Sequence, residues 1–127
     1  MRVLWPILLL LIGCAHAPQE LSYLDQATIE CLDWAWSQES DVEVAGGVIL
    51  TAAGIECSPL TWGTRLTVTH AIPSEYLTLF HTHTIRAPFS PTDREAYRLD
   101  PYARPSYMRE PGGAVWVYEG GWPRRLR

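Results

Sequence analysis

The sequence predicts a mixed α/β (α+β) fold, a mixed β-sheet flanked by helices. Two observations carry that class. Apolar spacing switches along the chain between near-helical periods and alternation by two. The inferred elements run α, β, β, β, α, β, β, and no glycine-rich phosphate loop follows any strand. Size adds a bound, because 127 residues with 47% hydrophobic and 19% charged content suit one compact domain.

The first helix is predicted over 21–40, where Leu21, Leu24, Thr28, Ile29, Leu32 and Trp36 fall near helical spacing and acidic residues fill the other face. Trp34 and Trp36 read as packing aromatics. Residues 42–50 predict a strand, with Gly46 and Gly47 marking a bulge or a close backbone approach. Residues 52–56, AAGIE, read as a turn. Residues 64–72, TRLTVTHAI, alternate apolar residues with threonine and predict a half-buried strand, and 74–83 predict a third strand. A second helix is predicted over 90–100, stopped by Pro101. Residues 105–110 and 113–120 read as a hairpin, and WPRRLR as a surface tail.

The first fourteen residues, MRVLWPILLLLIGC, stand apart. Arg2 precedes an apolar stretch, Val3 to Ile12, which is of signal-peptide length and short for a membrane span. LLIGC resembles a bacterial lipobox. The resemblance implies removal of residues 1–13 and attachment of acyl chains such as palmitate to Cys14, at roughly 0.8 kcal/mol per buried methylene. Residues 14–20 then form a lipidated tether and 21–127 the domain. Ala15, in place of an aspartate after the cysteine, implies the outer membrane, on its periplasmic side. An uncleaved anchor or an ordinary secretory signal are the alternatives. With Cys14 lipidated, Cys31 and Cys57 remain as an even pair in an oxidising compartment. They form either a disulfide or two buried thiols.

Composition excludes several functions. All ten basic residues are arginine, so Schiff-base and P-loop lysines are ruled out. A net charge of -4 and the lack of a basic patch argue against nucleic acid as a partner. His81 and His83, at i and i+2 on a strand, place two imidazoles on one face, a spacing that suits one metal ion or a plain solvent-facing pair. Ser90, Pro91 and Asp93 form a complete helix-start signature. The same geometry would hold the Asp93 carboxylate rigidly as a third ligand.

Taken together, Glu43-Val44-Ala45-Gly46, His81-Thr82-His83 and Ser90-Pro91-Thr92-Asp93 resemble the JAB/MPN (JAMM) metallopeptidase motif, E-x-x-G, H-x-H, S-x-x-D. The chain is also similar to compact bacterial JAB-like domains with an HTH…FSP.D segment. Six residues, Thr84 to Phe89, separate His83 from Ser90, where the common pattern has seven, and Thr84 stands where proline is frequent. The resemblance implies a JAB/MPN-like fold of cytidine-deaminase-like architecture. It implies Zn2+ held by His81, His83 and Asp93, with Glu43 as general base and Ser90 helping a developing oxyanion. The activity implied is hydrolysis of an amide or isopeptide bond in a protein or peptide substrate, with the membrane engaged through the lipid anchor. The alternative is a non-catalytic JAB-like binding module. Two histidines and one carboxylate would also accept iron. Asp41 is a weaker rival to Glu43, which is favoured because Gly46 lets backbone crowd the site. His70 and Glu75 lie near the candidate strands, His16 falls in the tether, and Arg86 and Arg94 read as solvated residues flanking the site.

Overall fold

The computed structural model describes residues 21–69 and 73–127. The signal and tether segments, with His16 and the lipidation candidate Cys14, lie outside the described residues, as does His70. No described helix is long and apolar enough to cross a membrane.

Helix α1 (Tyr23–Gln38) starts at a capping box: Ser22 Oγ accepts the Asp25 N–H and the Asp25 carboxylate accepts the Ser22 N–H. Its buried stripe is Thr28, Ile29, Cys31, Leu32 and Ala35. Asp25, expected on the solvent side, is buried too, and it accepts a hydrogen bond from the Tyr107 hydroxyl. Trp34 is exposed, whereas Trp36 lies under the Arg109 guanidinium, 4.3 Å from its carbon to the ring centroid.

The sheet has seven strands. They are β1 (Val44–Thr51), β2 (Gly54–Cys57), β3 (Thr61–Trp62), β4 (Tyr76–Thr82), β5 (Ser106–Arg109), β6 (Val115–Glu119) and β7 (Trp122–Arg125), in the order β2-β1-β4-β5-β6-β7, with β3 also paired to β1. All pairings are antiparallel except β4–β5, which is parallel. A parallel pair needs a crossover, and helix α2 (Pro91–Leu99) supplies it. One face of the sheet buries Val44, Val48, Phe80, Tyr107, Val115 and Val117 against α1. Strand alternation sends Ala45, Leu79, His81 and Met108 to the other face.

Three expectations are corrected. Residues 64–69 form no strand. Thr64 N–H donates to the Thr67 carbonyl at 2.6 Å and the two threonine hydroxyls bond at 2.8 Å, so local threonine hydrogen bonds replace the ladder. Gly54–Cys57 is a strand rather than part of a turn, because a tight turn at 52–53 folds it straight back on β1, Thr51 opposite Gly54. The C-terminal WPRR is an edge strand on β6 rather than a tail. Its exposed arginines blunt the open edge.

The glycine pair does mark a close approach. A Cβ at Gly47 would sit 2.3 Å from Tyr76 Cδ2 and 2.6 Å from the Thr78 carbonyl oxygen. One at Gly46 would sit 2.8 Å from Phe80 Cζ. Gly46 shares the α1 face with Val44, Val48 and Phe80, so its crowding serves the core and not the site.

A disulfide joins Cys31 on α1 to Cys57 on β2. Asp100 and Arg104 form a buried ion pair at 3.0 Å, and Arg104 also donates to the Pro73 and Tyr76 carbonyls, fixing the end of α2 to the start of β4. Burial pushes the Asp100 carboxyl up, but Arg104's hydrogen bonds and charge hold it below its ordinary range.

Replacing Cys31 and Cys57 by serine closes no 26-residue loop and is expected to cost about 3.5 kcal/mol in the chain-entropy account, read from denaturant unfolding. Asp100→Ala leaves the Arg104 charge buried without its partner and is expected to cost about 3–5 kcal/mol. Because the folded Asp100 pKa is depressed, its stabilising contribution is present above about pH 3.8 and fades as pH falls below that; acid titration of wild type against Asp100→Asn reads it.

Candidate metal centre

His81 lies near the end of β4 and His83 just beyond it. Their side chains share the face opposite Phe80, and both residues are buried. Thr82 points the other way, where its Oγ1 accepts the Val44 N–H at 3.0 Å and fastens β4 to the start of β1. Beyond the six residues that follow His83, Ser90 caps α2. Ser90 Oγ accepts the Asp93 N–H at 3.1 Å and Asp93 Oδ2 accepts the Ser90 N–H at 2.8 Å. The six-residue connection is long enough for the carboxylate to reach both rings. Asp93 Oδ1 is 3.4 Å from His81 Nε2, and Asp93 Oδ2 is 3.3 Å from His83 Nε2.

The two Nε2 atoms are 3.0 Å apart. The three side chains therefore form a triangle in which the two Nε2 atoms are 3.0 Å apart and each lies 3.3–3.4 Å from a different oxygen of the Asp93 carboxylate. A tetrahedral ion with bonds of about 2.0–2.1 Å requires edges of about 3.3–3.4 Å. The spacing approaches that value, and the group could hold a metal ion. His83 is set for that role by its other nitrogen. Nδ1 lies 3.1 Å from the Ala87 carbonyl oxygen, which can only accept, so the proton sits on Nδ1 and Nε2 keeps its lone pair for the triangle.

Electrostatics follow from the crowding. Burial pushes Asp93 up, but hydrogen bonds from both histidines, the charge of His81 and the Ser90 N–H hold its carboxyl far below the usual carboxylate range. Burial opposes the charged form of His83, yet Asp93 and Glu43 together raise its pKa above the ordinary value. A metal ion must displace that proton, so binding weakens as pH falls.

Glu43 immediately precedes β1. Its backbone pairs with the 63–64 segment, through Glu43 N–H to the Thr64 carbonyl and Gly63 N–H to the Glu43 carbonyl, each at 2.7 Å. It lines a cleft of about 330 Å³ together with His83, Ser90 and Asp93. Burial raises its carboxyl pKa, the two histidines pull it back, and Asp93 adds a further upward push. A cation in the triangle would lower it. Asp41 is exposed in the bend before β1 and its N–H is turned to the Glu39 carboxylate, so it does not share the cleft. Glu75 lies in the turn before β4, at the strand end away from the histidines. Arg86 and Arg94 are exposed and do not line the cleft.

Two walls of the cleft went unread in the sequence. One is Leu66 to Thr69, in the segment expected to be a strand; the other is Ile85, Ala87 and Pro88. The Thr84 hydroxyl donates to the Arg65 carbonyl and ties them together. Phe89 floors the site, with its ring 6.1 Å from His81 and 5.5 Å from Tyr118.

No family model, curated protein or solved structure matches the chain.

Removing metal with a chelator is expected to lower the melting temperature of the wild-type protein, and adding it back to restore it. His81→Ala, His83→Ala and Asp93→Ala should each abolish the restoration. Differential scanning calorimetry across the four proteins checks this.

Proposed function

We propose that the protein is a zinc-dependent hydrolase of JAB/MPN type that cleaves an amide or isopeptide bond, held at a bacterial membrane by lipid on Cys14. The observation that carries the reading is the convergence of His81, His83 and Asp93, the latter two lining one cleft with Glu43 and Ser90. The donor set favours zinc, since two imidazoles and one carboxylate leave a fourth place open to solvent or substrate, as in hydrolytic zinc sites.

When bound, zinc supplies Lewis acidity toward a carbonyl oxygen and brings the pKa of a water to about 7. The remaining work belongs to side chains. Glu43, half-buried in the cleft, takes a proton from the attacking water and returns it to the departing amine. Ser90 Oγ accepts the Asp93 N–H and keeps its own proton to donate to the oxygen that gains charge. Asp93 and the Ala87 carbonyl hold the imidazoles in orientation. The walls contributed by Leu66, Val68, Ile85 and Pro88 exclude water and accept an apolar side chain next to the scissile bond.

A second reading, a metal-holding binding module without catalysis, is favoured by the His83–Ser90 connection, one residue shorter than the common JAMM pattern. The two separate on a panel of fluorogenic peptides and isopeptides with apolar residues beside the cleavage point. The hydrolase reading expects turnover that Glu43→Gln lowers by about 10²–10⁴-fold and Ser90→Ala by about 10²–10³-fold, with bound zinc retained in Glu43→Gln. Turnover unchanged in Glu43→Gln, or none in wild type with zinc bound, favours the binding module.

A further inference from the structure

Large apolar side chains that remain exposed are unevenly placed among the described residues. Leu66, 62% exposed, lines the cleft; the other five large apolar side chains that are at least 60% exposed are Tyr23, Leu50, Leu99, Tyr102 and Trp122. The topology puts all five at one end of the sheet. Tyr23 opens α1, whose first turn reaches Tyr107 near the start of β5 through Asp25. Leu50 is near the end of β1, which is antiparallel to β4, so it lies beside the start of β4. Leu99 ends α2 and Tyr102 follows it on the way into β5. Trp122 begins β7, across from Glu119 at the end of β6. The histidine triangle and Glu43 occupy the opposite end, where β4 finishes and β1 begins.

The chain also enters the domain at the aromatic end, since Leu21 leads directly into α1. Only six residues, Ala15 to Glu20, separate it from Cys14. Fully extended, six residues reach at most about 20 Å.

We propose that this end of the domain rests on the surface of a phospholipid bilayer, with Tyr23, Tyr102 and Trp122 in the headgroup region, so that the cleft opens away from the membrane. The inference rests on lipid attachment at Cys14. Tyrosine and tryptophan favour the membrane–water interface, where an apolar ring and a polar tip are both accommodated. The short connection leaves no room for the domain to stand far off. Glu75 and Glu119 share this end, and Arg98 is paired with Glu95. With no excess of positive charge, the contact depends on ring burial and not on anionic lipid. From Tyr76 to His81 the β4 backbone rises about 3.3 Å per residue, which places the cleft roughly 17 Å beyond the bilayer surface. The substrate of the cleft is then a molecule or polymer in the aqueous phase, and lipid headgroups of the same membrane are out of reach.

The test uses the full chain, processed and lipidated in a Gram-negative host. It is reconstituted in phosphatidylethanolamine–phosphatidylglycerol vesicles that carry nitroxide-labelled acyl chains. A fluorophore is placed at Tyr102→Cys in one preparation and at Arg86→Cys in another, with mass spectrometry of the Cys14 peptide run alongside. The expected result is an acylated Cys14, loss of most of the emission at 102 and retained emission at 86. Replacing Tyr23 and Trp122 by serine should restore emission at 102 without releasing the protein from the vesicles. Acylated protein with equal quenching at both positions, or stronger quenching at 86, overturns the orientation and leaves the anchor standing. An unmodified Cys14 overturns the anchor and this inference with it.

Discussion

The Asp93 carboxylate is the point on which fold and site both depend. It completes the cap of α2 through the Ser90 N–H, and the same two oxygens stand 3.3 and 3.4 Å from two imidazole nitrogens. A helix start offers unpaired N–H groups and the positive end of the helix dipole, so a carboxylate is already at home there. The crossover between the parallel strands β4 and β5 fixes where that helix start must be. It follows the C-terminal end of β4, where His81 and His83 project. The capping box thus does not compete with metal binding, because it holds the carboxylate in one rotamer while leaving a lone pair on each oxygen directed elsewhere.

Much of this was legible in the sequence because it is local. The H-x-H pair needs only strand alternation, and Ser-Pro-Thr-Asp needs only helix-start chemistry. Both patterns are complete within four residues. Glu43 was legible only through family resemblance, since its approach to the histidines depends on the register that sets Ala45 opposite His81. The misread stretches share a physical cause. Alternating threonines in 64–69 satisfy a strand pattern, but threonine hydroxyls can also serve neighbouring backbone groups, and here they do. The β2 segment is too short to show a period. The arginines of β7 look like a solvated tail because an exposed edge strand is polar by necessity. The role assigned to Gly46 failed because the residue faces α1, and strand pattern alone does not say which face is crowded.

Other determinants could not be read at all, because their partners are distant in the chain. Asp33 receives Arg109 and Arg127, the latter 94 residues away, and these arginines hold its carboxyl below the usual range, Arg127's hydrogen bond contributing most. Tyr107 reaches Asp25 across 82 residues, and burial with that contact pushes its hydroxyl pKa well up. With the disulfide and the Asp100–Arg104 pair, these contacts clamp α1, β5 and the C-terminal end of α2 to the sheet. A small domain with a limited core needs such staples, and a metal triangle needs the rigidity they provide. The cleft walls, by contrast, are loops joined by the Thr84–Arg65 contact.

The central claim is that two imidazoles and one carboxylate surround a single cation, and X-ray absorption at the metal edge of protein purified without a histidine tag addresses it directly. The expected spectrum shows a first shell of about four light atoms near 2.0–2.1 Å with outer-shell scattering from two imidazole rings, and His81→Ala loses the bound metal. A six-oxygen shell without ring scattering, or a spectrum unaltered by His81→Ala, would contradict it.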